Sequence, residues 1–131
     1  MVPKLKKILC VEDEMDIQTI AKVALEAVGN FTVQMCGSGQ GALDVLKEFS
    51  PDLILLDVMM PGMDGPTTYG SIRKMNDFEN VPIVFMTAKV METDQKLYRS
   101  LGAAGIIAKP FDSMTLSSQI EEIWAEHHER R

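Results

Sequence analysis

Leu53-Ile54-Leu55-Leu56-Asp57 is a run of four branched apolar residues closed by a carboxylate. A segment this short and this uniformly apolar suits a strand buried on both faces, the condition of an inner strand in a parallel sheet. Three further runs share that character: Ile8-Leu9-Cys10-Val11, Pro82-Ile83-Val84-Phe85-Met86 and Gly105-Ile106-Ile107-Ala108. Phe31-Thr32-Val33-Gln34-Met35-Cys36 instead alternates apolar with polar residues, which predicts a half-exposed edge strand.

Between these runs lie stretches of helical period. From Met15 to Val28, Ile17, Ile20, Ala21, Ala24 and Val28 make one stripe, closed by Gly29. Ala42, Val45, Leu46 and Phe49 make a second, with Ser38 as N-cap and Ser50-Pro51 as the stop. Pro66 suits a first helical position, for a helix running to about Lys74. A fourth, more polar stretch from Met91 to Leu101 rests on Leu97, Tyr98 and Leu101, and the last buries Leu116, Ile120, Ile123 and Trp124. Strand and helix alternate five times. That order predicts an α/β domain: a parallel five-stranded sheet with helices on both faces, joined by right-handed crossovers. The chain ends soon after the fifth helix, so residues 1–131 are expected to be a single domain with no output domain.

Composition narrows the function. Apolar residues make up 46% and charged residues 24%, which argues against disorder. Thirteen Lys and Arg against nineteen Asp and Glu leave a net charge of -6, the wrong sign for a nucleic-acid surface. Basic residues cluster only at Lys4, Lys6 and Lys7 and at Arg130 and Arg131. No stretch approaches the roughly eighteen apolar residues of a membrane span. The apolar run after the first lysines is cut short by Glu12, Asp13 and Glu14, unlike a secretory signal. Cys10 and Cys36 sit in apolar surroundings and read as core thiols of a reducing compartment, so the cytoplasm is the expected location.

In an open α/β sheet, ligands bind beyond the carboxyl ends of the strands. Glu12, Asp13 and Glu14 follow the first strand, Asp57 the third, Thr87 with Ala88 and Lys89 the fourth, and Lys109 with Pro110 the fifth. Taken singly, each is an ordinary turn, cap or surface residue. Taken together, they put carboxylates, a hydroxyl and an ammonium on one edge. Two unit charges about 4 Å apart repel by roughly 4 kcal/mol at an effective dielectric near 20. Glu12, Asp13 and Asp57 therefore need compensation, which Lys109 and one divalent cation would supply. An all-oxygen site favours Mg²⁺, or Mn²⁺, over zinc. The two histidines, His127 and His128, lie at the tail and read as solvated.

These segments resemble the receiver domain of two-component response regulators, especially stand-alone receivers such as the chemotaxis regulator. The likeness rests on Val11-Glu12-Asp13-Glu14, on Leu56 through Gly65 (LDVMMPGMDG), on Thr87-Ala88-Lys89, on Gly102-Ala103-Ala104-Gly105 and on Lys109-Pro110-Phe111. It implies a three-layer, flavodoxin-like sandwich with strand order 2-1-3-4-5. It also implies that Asp57 accepts a phosphoryl group from a phosphohistidine of a histidine kinase or histidine phosphotransfer protein. Glu12, Asp13, Asp57 and the backbone carbonyl of Met59 would hold Mg²⁺. Thr87 would hydrogen-bond the phosphoryl oxygens, Lys109 would pair with them, Ala88 would leave access, and a cis peptide would join Lys109 to Pro110.

The family's usual aromatic residue three positions before the lysine is Ile106 here, which reads as a core strand residue. The usual switch is expected to keep its threonine half and to lack its aromatic half. Met59 cannot orient an attacking water, so slow autodephosphorylation is expected. Output would pass through the fourth helix (about Glu92 to Leu101), the fifth strand and the fifth helix. That face would take a downstream protein of unknown identity or a second copy of the chain, without nucleic acid or membrane. Three rivals remain: a phosphorylation-independent binding module, a flavodoxin-like electron carrier, and a receiver cut from a hybrid kinase or DNA-binding regulator. The electron carrier is disfavoured because Glu12-Asp13-Glu14 would repel a flavin phosphate.

Overall fold

The structure, a computed structural model, describes residues 2–129, so Arg130 and Arg131 of the basic clusters lie outside it. The elements run in the order β1 (Lys7–Val11), α1 (Met15–Val23), β2 (Thr32–Cys36), α2 (Gly39–Phe49), β3 (Leu53–Asp57), α3 (Gly65–Arg73), β4 (Ile83–Thr87), α4 (Glu92–Leu101), β5 (Gly105–Ala108) and α5 (Leu116–Glu129). All strand pairs are parallel, in the order β2-β1-β3-β4-β5. Among the described residues no helix is long and apolar enough to cross a membrane.

The three inner strands are apolar on both sides because both sides are covered. Ile8, Cys10, Leu53, Leu55, Val84 and Met86 face one layer, where α1, the turn that continues it and α5 contribute Ala21, Leu25, Leu116, Ile120 and Trp124. Leu9, Val11, Ile54, Leu56, Ile83 and Phe85 face the other, against Ala42, Leu46, Ile72 and Tyr98 of α2, α3 and α4. Each fully buried Leu or Ile contributes about 1.5–3 kcal/mol, so this double core dominates stability. β2 is the half-exposed edge that its alternation predicts. β5 is the other edge, as the 2-1-3-4-5 order requires, but its apolar run is not buried throughout: Ile106 is half-buried and Ala108 exposed.

The helices begin and end where their caps dictate. Ser38 accepts a hydrogen bond from Gly41 N at 3.0 Å, and Asp64 accepts one from Thr67 N at 2.9 Å. Ser50, in the left-handed conformation, closes α2. Two stripes fit less well than their spacing suggests. After Val23, the first helix widens into a π turn over Ala24–Val28, with Gly29 N donating to Ala24 O. The wider turn rotates the residues beyond it about the helix axis. Val28, beyond the turn's start, is exposed, as is Ile20 before it, while Leu25 is fully buried. On α4 only Tyr98 is buried; Leu97 and Leu101 face outward. His127 and His128 are half-buried rather than solvated, with the His128 ring 4.1 Å from the Trp124 ring.

Candidate functional site

The backbone ladder runs one residue past each strand that serves the site. Glu12 N donates to Cys36 O, Val58 N to Met86 O, and Lys109 N to Thr87 O, each at 2.9–3.0 Å. Glu12, Asp57, Thr87 and Lys109 are thus placed by the sheet itself rather than by loops. Gly65 holds the loop after Asp57 down: its N–H donates to Val58 O at 3.0 Å. A side chain there would lie 2.6 Å from the Asp57 carbonyl oxygen and 2.7 Å from Val58 Cα. Only glycine fits.

Lys109 joins the group. Its Nζ lies 2.9 Å from Glu12 Oε1 and 3.2 Å from Asp57 Oδ1. Glu12, wholly buried, also accepts from Glu14 N at 3.0 Å through Oε2, and Asp57 Oδ1 accepts a long bond from Met59 N at 3.4 Å. One oxygen from each of Glu12, Asp13 and Asp57 lies within 4.8 Å of the others. Two of the carboxylate oxygens here, Asp13 Oδ1 and Asp57 Oδ2, are buried without a hydrogen-bond partner. An unpartnered buried carboxylate oxygen is costly, and a hard cation is the group that satisfies several at once. The donor set fits Mg²⁺.

The charges leave their mark. Burial, then the neighbouring Glu12, pushes Asp57 up to about 6 against the opposing pull of Lys109 and Met59 N. Burial alone would lower the Lys109 ammonium, but its bonds and charges from Glu12 and Asp57 outweigh that and raise it. Thr87 is buried beside them; its Oγ1 accepts from Lys89 N at 3.0 Å. The Lys109-Pro110 peptide is cis, as expected. Beside the carboxylates a cavity of about 310 Å³ is lined by Ile17, Ile20, Ala88, Lys109, Pro110 and Phe111.

Glu12, Asp13, Asp57 and Lys109 come together at this edge with Thr87 buried on the neighbouring strand, whereas Glu14 and Lys89 are exposed and contribute backbone N–H groups, to Glu12 and to Thr87. The sequence reading quoted Gly65 as the end of a motif but gave it no role; the close approach to Asp57 and Val58 appears only in the fold. It missed the apolar wall of Ile17, Ile20 and Phe111, which no local pattern marks as one surface.

A family model described as the response regulator receiver domain matches residues 8–121. Among solved structures, the Vibrio cholerae chemotaxis protein CheY4 superposes with a TM-score of 0.84 at 25% identity, covering 92% of this chain and 99% of that one. A CheY-like receiver domain protein from Methanospirillum hungatei has the same fold, with a TM-score of 0.81 at 23% identity, covering 98% of this chain and 100% of its own. The signal receiver domain of a signal transduction histidine kinase from Syntrophus aciditrophicus is 28% identical, with a TM-score of 0.78 and coverage of 92% and 91%.

Proposed function

The chain belongs to the response regulator receiver family, and on that premise we propose that it is a phosphoacceptor switch in which Asp57 takes a phosphoryl group from a phosphohistidine of a histidine kinase or histidine phosphotransfer protein. The observation that carries this reading is the set of Glu12, Asp13, Asp57 and Lys109 at one sheet edge with two carboxylate oxygens still unpartnered. Mg²⁺, held by Glu12, Asp13, Asp57 and the Met59 carbonyl, would supply positive charge against the carboxylates and the incoming phosphoryl group.

Phosphoryl transfer asks a protein mainly for alignment and charge neutralisation. A carboxylate oxygen of Asp57 forms the new bond to phosphorus, the phosphorus–nitrogen bond of the donor breaks, and the electron pair stays on the imidazole. Lys109 pairs with the phosphoryl oxygens, and the Thr87 hydroxyl donates to them. The extra negative charge on Asp57 draws both side chains inward. Ile106 leaves this movement without its aromatic companion. Met59 is exposed and apolar and aligns no water, so the acyl phosphate persists.

Residues 1–131 are read as one receiver domain acting in the cytoplasm, with output through α4, β5 and α5. Leu97 and Leu101, exposed on α4, support that face. A downstream protein or a second copy of the chain would bind there according to phosphorylation state. The likeness to a receiver domain of a histidine kinase favours a second reading, in which the same chemistry serves a longer signalling chain.

Incubation with acetyl phosphate and Mg²⁺, read by intact mass, tests the proposal. One phosphate is expected on the parent chain and none on Asp57→Asn. A label mapped to any other residue, or no magnesium affinity by calorimetry, refutes it.

A further inference from the structure

α4 is held to the sheet by little. Tyr98 is its one buried side chain, and its ring meets Phe85 of β4 edge-on, with centroids 5.4 Å apart. Phe85 also packs with Tyr69 of α3, at 5.8 Å. The same group fixes the last turn of α4. Gly102 closes that turn at φ +108°, and a side chain there would collide with the Tyr69 hydroxyl, to which Arg73 Nε donates at 3.2 Å. The first turn has no side-chain cap. Gln95 instead reaches back, its Nε2 donating to Val90 O at 2.8 Å, while Lys89 N donates to Thr87 Oγ1 at 3.0 Å. Two hydrogen bonds, with Lys89 and Val90 between them, thus join the Thr87 hydroxyl to the helix. Ile106, the register partner of Phe85 on β5, brings neither a ring nor a polar group.

We propose that Gln95 and Tyr98 are the positioning residues that carry the state of Asp57 to α4, in place of a ring on β5. The inference deepens the phosphoacceptor reading and rests on it. When Thr87 turns to donate to a phosphoryl oxygen on Asp57, its own oxygen leaves Lys89 N. Lys89 and Val90 are both exposed, so no packed layer over them resists the shift. Gln95 passes the movement of Val90 to the first turn of the helix. Tyr98, bedded on Phe85, is the fulcrum, and Gly102 over Tyr69 keeps the last turn still. The helix from Glu92 to Leu101 is about 15 Å long, so a small rotation at Tyr98 displaces Met91 and Glu92 most. The surface that changes is therefore the amino-terminal end of α4, with β5 and α5 left in place.

Tyr69 and Tyr98 are the only tyrosines, so the full chain labelled with 3-fluorotyrosine gives two fluorine resonances, assigned with Tyr69→Phe and Tyr98→Phe. Beryllofluoride with Mg²⁺ stands in for the phosphoryl group on Asp57. It is expected to move the Tyr98 resonance and leave that of Tyr69, and to move neither in Asp57→Asn. Gln95→Met keeps the length and helix propensity of the side chain and removes its donor. It should cut the Tyr98 displacement to less than half, with the rate of acetyl phosphate labelling within about twofold of the parent. Ile106→Val should leave the displacement as in the parent; a loss there would route the signal through β5 and overturn the proposal. An immobile Tyr98 resonance, or a full displacement in Gln95→Met, overturns it too while acetyl phosphate still labels residue 57. Failure of acetyl phosphate to label the parent would instead refute Asp57 as acceptor, and the relay with it.

Discussion

At the carboxyl edge of the sheet, the strands deliver Glu12, Asp57, Thr87 and Lys109 beside Asp13, and two carboxylate oxygens there, Asp13 Oδ1 and Asp57 Oδ2, are buried without a hydrogen-bond partner. At the amino edge the polar side chains close on backbone instead. The Asp52 carboxylate accepts from Lys6 N and Lys7 N at 3.0 and 2.9 Å, Trp124 Nε1 donates to Pro3 O at 2.7 Å, and Arg73 donates to Phe78 O at 3.1 Å. One edge carries electrostatic strain and the other satisfies its groups. Substitutions at the two edges should therefore separate stability from chemistry.

The largest effect belongs to the amino edge. Trp124→Ala removes a nearly buried indole and its hydrogen bond and should cost about 3–5 kcal/mol in urea unfolding. The folded fraction should still take phosphate at the parent rate; a loss of labelling there would break the separation. Gly65→Ala straddles the comparison. Its methyl group must displace the Asp57 carbonyl, so it should cost about 1–3 kcal/mol and slow acetyl phosphate labelling as well.

Asp57→Asn should do the reverse of an ordinary core substitution. The folded pKa of Asp57 is raised to about 6, so its ionised form burdens the fold. That burden is full above about pH 6 and fades as pH falls towards the usual carboxylate range, where folded and unfolded states are both protonated. Without divalent metal at pH 7 the variant should be more stable by about 1–2 kcal/mol, and saturating Mg²⁺ should narrow or invert the order by stabilising only the parent. A variant less stable at pH 7 would show that the carboxylate is not strained. The smallest effect returns to the amino edge: Asp52→Ala, losing two partly exposed bonds, should cost about 1 kcal/mol with labelling unchanged.

Much of this was legible in the chain because inner parallel strands announce themselves. Leu53 to Leu56 and Ile83 to Met86 are apolar on both faces for a reason visible without coordinates, and the residues closing them had to share an edge. Gly105 to Ala108 looks the same in sequence yet forms an edge strand, since apolarity does not report how many neighbours a strand has. The first helix misled for another reason. A stripe drawn at 3.6 residues per turn places Val28 inward, whereas the helix widens into a π turn from Ala24 and Val28 is exposed. The acids, Thr87 and Lys109 were legible by position after strands. The cavity wall was not, because Ile17 and Phe111 become neighbours only through the fold.

The two thiols have a practical use. Cys10 points into the layer beneath α1 and α5, while Cys36 belongs to the layer beneath α2, α3 and α4. Both are buried, and burial raises both above the ordinary thiol range, so alkylating reagents reach them only when the surrounding layer opens. Their separate modification rates time the breathing of each half of the sandwich, a pair of native clocks that needs no engineered probe.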